Sequence, residues 1–568
     1  MNILGLSCYH HDAAACLVRD GEVVSAAMEA WFDRENHSSA FPAQALNECL
    51  LAGGITIDDV DRIAFYEKPF LKLERVLLSH VRAFPGSLKA FLREVPPWLE
   101  NRLILPITLH KEHGYDGKVL FFHHHLCHAA AAFLSSPFDH AAILVADGVG
   151  EWSTLSMGKG TGSAIALLRQ TAYPNSVGLF YTAMATFLGF DPLEGEGRVE
   201  ALSRTGTPSF RDRFQEVVQV VETGGLEVNP RYLPFFEGER MFSPALETVL
   251  GPARRPDEPV TQEHRDLAAT VQAILEDVLV RTARTLHREV GGRTLCMAGG
   301  VARNTLAVGK ILEETPFEHL YIPPEPGDAG AAVGAALYLA HALQPDIPRR
   351  PRSRSDLGPV SSRTQVEIAL KNRGYPFQYL EESALADTVA RRLEAGEVVG
   401  WFQGRMDFAP QDLGHRAILT APGTPDAHVR LARARGEVEP VPPVQVCLPA
   451  ERLEKTFDLA LPSPFKHLEL KVRPEFHHLI AAPAGQTPSA RVLALPRDTN
   501  QPLHTLLETF IAHTGVPMLL CDTMAHRAAP PVAAPADALD LFDQTAMDLL
   551  VIEGYVVERK DRQHPGGS

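Results

Sequence analysis

Two copies of one strand pattern restrict the fold of this 568-residue chain more than any other feature. The first copy opens the chain. Ile3-Leu-Gly-Leu6 is an apolar strand, residues 7–11 a polar loop, and Ala13-Ala-Ala-Cys-Leu-Val18 a second strand. Arg19-Asp-Gly21 then turns into a third strand that includes Val23 and Val24. The second copy begins at the fully apolar Ala141-Ala-Ile-Leu-Val-Ala146. Asp147-Gly-Val-Gly150 follows, and strands at 154–157 and 163–168 flank a glycine turn at 158–162. Each copy carries an acid in its first loop: Asp12, next to His11, and Asp147. Ordinary turns also favour Asp. At the end of a buried strand beside glycines, however, an acid can bind a metal while backbone amides approach a phosphate.

Phe121-Phe-His-His-His-Leu-Cys-His128 lies between the copies, followed by Ala129-Ala-Ala-Ala-Phe133. The small apolar residues predict a helix, on which His124 and His128, four apart, share a face. Such a pair can bite one metal ion, and a helix start that is merely His-rich would read the same way. His123 and His125 point to other faces. Further on, Arg265-Asp-Leu-Ala-Ala-Thr-Val-Gln272 opens a long helix with Leu267, Val271, Ile274 and Val278 on its apolar face, ended by Gly291-Gly292. Thr294-Leu-Cys-Met297 is a buried strand, and residues 298–304 are a glycine turn into the next helix, where backbone without Cβ atoms lets a nucleotide come close. Asp328 lies just before the helical residues 331–338, and an N-cap is the commoner role for Asp there.

This length needs two or three domains. Arginine, serine and proline crowd residues 344–355, which read as a linker. The expected division is 1–345, a linker at 346–359, a second domain at 360–560 and a disordered tail at 561–568. The net charge of −16 disfavours a large nucleic-acid or anionic-membrane surface. Seven scattered cysteines without a C-x-x-C pair suggest reduced thiols and a cytoplasmic location. No apolar run is long enough to span a bilayer, and no cationic segment precedes the apolar N-terminus as in a signal peptide.

The motifs H-H-x-L-x-H, A-D-G-x-G, R-D-L-A-A-T-x-Q, A-G-G-V-x-x-N and G-D-x-G-A-A-x-G-A-A follow one another between His123 and Ala336. As a set they resemble those of the antibiotic and Nod-factor O-carbamoyltransferases. The resemblance implies an actin-like, duplicated ATPase fold for the first domain and a smaller α/β domain like threonylcarbamoyl-AMP synthase for the second. It implies that the second domain makes carbamoyl-adenylate from carbamoyl phosphate and ATP. The first would pass the carbamoyl group to a hydroxyl or amine of a small natural-product acceptor. Carried over, it makes His124, His128, Asp147 and Asp328 ligands of iron(II) or another first-row divalent ion. It sets Gly148, Gly150, Gly299, Gly300 and Asn304 around the nucleotide, and makes His11, beside Asp12, a general base. It leaves a homodimer open.

Departures from that family cluster in two places. The E-E-R-F-x-R-x-K-H stretch reads Glu29-Ala-Trp-Phe-Asp-Arg-Glu-Asn-His37, with Trp31 for Arg and Asn36 for Lys, and G-K-x-M-G-L-A reads Gly197-Arg-Val-Glu-Ala-Leu-Ser203. In the second domain G-P-R-A-L-G becomes Ala409-Pro-Gln-Asp-Leu-Gly414, R-P-F-A-P becomes Glu439-Pro-Val-Pro-Pro443, and N-T-S-F-N becomes Cys521-Asp-Thr-Met-Ala525. Arg405, Arg416, Arg433 and Arg435 remain as candidate donor-binding cations. Two other readings stand beside carbamoyl transfer: threonylcarbamoyl transfer to tRNA, and a catalytically weakened nucleotide- and metal-binding partner protein.

Overall fold

In a computed structural model of the chain, the duplicated pattern folds as two five-stranded sheets of identical order. The structure describes all residues except 238–239, 425, 438–442, 459–464, 483–485, 528 and 560–568, so Glu439 and the 561–568 tail lie outside it. In the first sheet β1 (Asn2–Ser7) pairs antiparallel with β2 (Ala14–Arg19), and β2 with β3 (Glu22–Met28). On its other side β1 runs parallel to β4 (Arg62–Phe65), and β4 to β5 (Lys118–Phe121). In the second, β6 (His140–Ala146) takes the place of β1. It pairs antiparallel with β7 (Ser153–Thr161), which pairs with β8 (Ala164–Ala172), and it runs parallel to β9 (Thr294–Ala298), which neighbours β10 (His319–Tyr321). This repeated topology is the actin-like fold.

The central strands are buried on both faces, as continuous apolar runs require; Ile143, Leu144 and Val145 are fully inaccessible. Helices close the layers. The insertion between β4 and β5 holds α1 (Pro69–Arg82), α2 (Leu88–Asn101) and α3 (Leu105–His113). α4 (His124–Phe133) follows β5, and α5 (Gln262–Val290), α6 (Thr305–Glu314) and α7 (Asp328–Leu343) come later. α5 begins three residues before the sequence suggests, because Thr261 caps it through the His264 N–H, and it stops at Gly291, φ 73°. α7 lies close against α4: a Cβ on Gly334 would overlap the Cys127 carbonyl.

The chain divides into two units. The first holds Met1–Glu29 and His37–Arg352, the second Ala30–Asn36 and Ser353 onward. The division falls inside the stretch read as linker, and its first half is tied into the first unit. Arg349 donates to the carbonyls of Phe133, Ser136 and Phe138 at 2.6–2.7 Å and lies over the Phe133 ring. The second unit is built on a nine-stranded mixed sheet. Its strands include β11 (Phe377–Tyr379), β12 (Val399–Phe402), β13 (Arg416–Thr420), β14 (Val444–Pro449), β15 (Glu469–Lys471), β16 (Ser489–Leu495) and β17 (Leu519–Thr523). The short segment 30–36 belongs to this unit: Trp31 is buried edge-on to Phe408 at 6.2 Å, and Arg34 donates to the Pro530 and Pro531 carbonyls. Trp31, which stands where the family has an arginine, is therefore a core side chain. No helix among the described residues is long and apolar enough to cross a membrane.

Candidate functional site

Three segments of the first unit build the site. Asp147 follows β6 directly, and the turn after it is closed by the Asp147 N–H on the Thr154 carbonyl at 3.0 Å and the Gly150 N–H on the Ser153 carbonyl at 2.9 Å. α4 opens with His124 and has no side-chain cap from His123. Glu151 substitutes: its carboxylate accepts from the His124 N–H at 3.0 Å and the Lys68 N–H at 2.9 Å. Asp328 is the first residue of α7, where a carboxylate suits the helix N-terminus.

His124 Nε2 lies 3.0 Å from Asp147 Oδ2, 3.0 Å from His128 Nε2 and 3.5 Å from Asp328 Oδ1. His128 Nε2 is 3.7 Å from both carboxylates. All four side chains are buried, with one ligand atom from each within 4.8 Å of the others. Metal bonds of about 2.1 Å place neighbouring ligand atoms about 3.0–3.4 Å apart, so the cluster has the dimensions of one coordination shell. Two imidazole nitrogens and two carboxylate oxygens facing one point also need a positive charge there. Protons meet part of that need: burial opposes charge on His128, but Asp147 and Asp328 outweigh it and push the imidazole up to about 9. Burial likewise favours protonation of the two acids, yet the surrounding histidines hold both well below the usual carboxylate range. The residues present fit a divalent cation. His125 turns away to Ser156 Oγ at 2.7 Å.

The glycines divide into different roles. A Cβ on Gly150 would stand 3.0 Å from His124 Cβ and Cδ2, so this glycine makes room for the His124 imidazole. Gly299, φ 90°, lets β9 approach β6, since a Cβ there would overlap the Ala146 carbonyl. The Gly300 N–H donates to Asp147 Oδ1 at 3.0 Å. Gly148 has open space, its nearest neighbour being Leu179 Cδ2 at 3.7 Å. Asn304 caps α6 through the Ala307 N–H and shares buried hydrogen bonds with Gln272. Gly148 is thus the clean probe of a bound nucleotide. Gly148→Val is expected to fold, keep its metal and bind ATP at least about tenfold more weakly, about 1.4 kcal/mol. Isothermal titration checks this, and parental affinity would remove the nucleotide from this turn. Gly299→Val cannot serve, because it disrupts the strand packing itself.

The loop after β1 reaches the same acid. Asp328 Oδ2 is 3.4 Å from His10 Nδ1 and 3.7 Å from His11 Nε2, opposite the oxygen that faces the α4 histidines. His11 Nδ1 meets Asp12 Oδ2 at 3.1 Å, and His37 Nδ1 meets Asp12 Oδ1 at 2.7 Å. Tyr9 (φ 68°) and Asp12 (φ 52°) occupy the left-handed region without being glycine, a strain typical of functional loops. His10, His37 and Glu151 escape the sequence reading. Glu151, directly after Gly150, had a local signal, and His37 had one as the last residue of the E-E-R-F-x-R-x-K-H stretch; His10 had none beyond residue type.

In the second unit the four arginines do not converge. Arg405 donates to the Leu357 and Gly358 carbonyls, and Arg435 pairs with Asp522 at 3.0 Å. Arg416, buried, stacks on Phe402 at 3.6 Å and donates to the carbonyls of Gln403, Gly404 and His415. Arg433 lies in the last turn of the helix 427–434, which ends at Arg435. Gln411 donates to the Phe465 carbonyl at 2.8 Å, and its neighbour Asp412 pairs with Lys466 at 2.9 Å, both side chains fully inaccessible. Burial disfavours charge on Lys466, but Asp412 outweighs it and holds the ammonium protonated. Breaking such a pair leaves a buried charge alone, so Asp412→Ala is expected to destabilise the protein by about 3–5 kcal/mol in urea unfolding. An unchanged midpoint would show that Lys466 finds another partner.

The first unit is thus a duplicated actin-like domain that buries a two-histidine, two-carboxylate cluster, and a separate α/β unit follows it. Residues 2–337 match the family model described as Carbamoyltransferase N-terminus, and residues 390–559 the one described as Carbamoyltransferase C-terminus. The chain belongs to the carbamoyltransferase family. It is 35% identical to an uncharacterised protein of Synechocystis, covering 98% of this chain and 97% of the relative. It is 30% identical to nodulation protein NolNO of Sinorhizobium fredii, covering 97% of this chain and 79% of that one. The crystal structure of T. kodakarensis HypF aligns with 61% of this chain and 48% of its own at 14% identity, with a TM-score of 0.35. The fold assignment rests on the strand order given above.

Proposed function

We propose that the chain transfers a carbamoyl group from carbamoyl-adenylate, formed with ATP, to a hydroxyl or amine of a small natural-product acceptor. The observation that most supports this is the four-residue cluster of His124, His128, Asp147 and Asp328, set between the 147–150 and 299–300 turns. When bound there, iron(II) or another first-row divalent ion would polarise the donor carbonyl or the leaving phosphate. The chain's own residues do the rest. The backbone at Gly148 and Gly300 lines the side from which the nucleotide enters, with Gly300 N–H fixing Asp147. Asp12, hydrogen-bonded to His37, orients His11 from behind. Burial opposes charge on His11, but Asp328 and Asp12 push its imidazole up to about 9, so the neutral form that can accept a proton grows as pH rises toward that value; in that form His11 takes the proton of the acceptor as its oxygen or nitrogen bonds to the carbonyl carbon. The bond from that carbon to the AMP phosphate oxygen breaks, and AMP leaves.

A second reading, a nucleotide- and metal-binding partner with a weakened donor site, draws on the buried Asp412–Lys466 pair and on arginines already engaged by carbonyls. Labelled carbamoyl phosphate with ATP and a panel of hydroxylated and aminated small molecules separates the two. ATP-dependent label in an acceptor supports transfer. Copurified metal and nucleotide without label transfer, even from supplied carbamoyl-adenylate, would overturn it.

A further inference from the structure

Asp328 faces a second group of ligand atoms with its other oxygen. Oδ1 looks toward His124 and His128, while Oδ2 lies 3.4 Å from His10 Nδ1 and 3.7 Å from His11 Nε2. One atom from each of His10, His11 and Asp328 falls within 4.8 Å of the other two. Hydrogen bonds from nitrogen to oxygen run about 2.7–3.2 Å. The contacts of Asp12 with His37 and His11, at 2.7 and 3.1 Å, are of that kind. The two contacts to Asp328 Oδ2 are longer. Ligand atoms about 2.1 Å from a common ion stand about 3.0–3.6 Å apart, for angles of about 90–120°. The spacing at Asp328 is nearer to that of atoms around one ion than to a hydrogen bond.

The loop holds the two imidazoles in place. Neighbouring side chains on extended backbone point to opposite faces, yet the His10 and His11 rings lie side by side, with centroids 4.4 Å apart. Tyr9 and Asp12, both in the left-handed region, bend the chain on either side of them. The Tyr9 carbonyl accepts from Arg102, and its N–H donates to the Ser39 carbonyl at 2.9 Å, so the loop is tied on both sides. His11 meets Asp12 through Nδ1, which leaves Nε2 facing Asp328. A metal-binding imidazole commonly gives its second N–H to a carboxylate in this way, and Asp12 is fixed in turn by His37. The nearest cations are committed elsewhere: Lys72 pairs with Glu67 at 2.5 Å and Arg303 with Glu325 at 2.6 Å. Two imidazoles and one carboxylate suit a borderline first-row cation, whereas a hard ion such as magnesium takes oxygen ligands. His10 is 38% exposed, which leaves one side of the group open to water.

We propose that His10, His11 and Asp328 form a second site for a first-row divalent cation, with Asp328 bridging it to the first cluster. With three protein ligands instead of four, and one of them exposed, it is the weaker of the two. Its consequence for activity rests on the carbamoyl-transfer reading: His11 Nε2 is the atom that takes the acceptor's proton, so an ion held there blocks transfer. The test starts from the full chain loaded with one equivalent of zinc. The protein is dialysed to equilibrium against further zinc, and bound metal is read by elemental analysis beside His10→Ala and His110→Ala. His110 belongs to an exposed His–Asp pair, 2.6 Å from Asp116, and controls for casual surface binding. The parent and His110→Ala are expected to take a second equivalent that excess magnesium does not displace. His10→Ala should bind it at least about tenfold more weakly, while keeping the first equivalent and the parental melting temperature. A parent that stops at one equivalent would overturn the proposal. So would a second equivalent that His10→Ala retains or magnesium displaces. In the transfer assay the second equivalent should inhibit the parent, and inhibition of His10→Ala, measured against its own rate without added zinc, should need at least about tenfold more. Transfer undiminished with the second equivalent bound would also overturn the site, by removing the ion from His11. A parent that transfers no carbamoyl group counts against the transfer reading alone, because stoichiometry decides the site.

Discussion

His128→Ala is expected to lose its divalent metal and, with it, nucleotide-dependent transfer. His128 is completely buried, and its Nε2 faces His124 Nε2 and both carboxylates within 3.7 Å. Loss of an outer partner to a metal ligand already costs about 10–100-fold in affinity, so loss of a ligand itself should cost at least that. Two acids would then share one imidazole, and the cluster could not gather the same charge. His125→Ala is the matched control. It sits on the same helix, is equally buried, and faces Ser156 rather than the cluster. Metal analysis of the two purified proteins, with circular dichroism to confirm folding, separates ligation from packing. Metal retained by His128→Ala, or lost equally from His125→Ala, would dissolve the assigned site.

The second large effect concerns the donor. Carbamoyl-phosphate-dependent pyrophosphate release from ATP should run orders of magnitude below that of a family member keeping G-P-R-A-L-G. A small dianion must be gripped by several charged hydrogen bonds, each contributing about 1.5–3 kcal/mol. At about 1.4 kcal/mol per decade, replacing a single guanidinium by the neutral Gln411 amide lowers affinity by about one to two decades. The cations nearby do not replace it freely: Lys466 is held by Asp412, Arg416 by three carbonyls and the Phe402 ring, and Arg435 by Asp522. Gln411→Arg made together with Asp412→Ala and Lys466→Met should raise pyrophosphate release, because it restores the cation and removes the pair that occupies its surroundings. Transfer from supplied carbamoyl-adenylate should persist in the parent, since the proposed function assigns that step to the first unit. Parental turnover equal to the family member's would show that these residues do not bear on the donor.

Short-range information in the sequence determined a good part of this protein. The strand–loop–strand–turn–strand units at 2–28 and 140–172 follow from apolar runs and Asp-Gly or Gly turns within a few residues, so both were legible before any long-range pairing. The helical spacing of His124 and His128, the apolar face of α5 and the Gly291 stop are equally local. What only the tertiary structure decided depends on elements that meet from distant points of the chain. Asp328 faces the α4 histidines because α7 packs closely on α4, and Oδ2 of the same acid meets His10 only because β1 and β6 head equivalent sheets. Gly150 and Gly299 read alike as nucleotide turns, yet one yields to an imidazole and the other to a neighbouring strand. Trp31 belongs to the core of the second unit, which no pattern in residues 29–37 foretells. Burial and charge pairing between separate segments are decided by packing, and packing is a property of the whole chain rather than of any stretch of it.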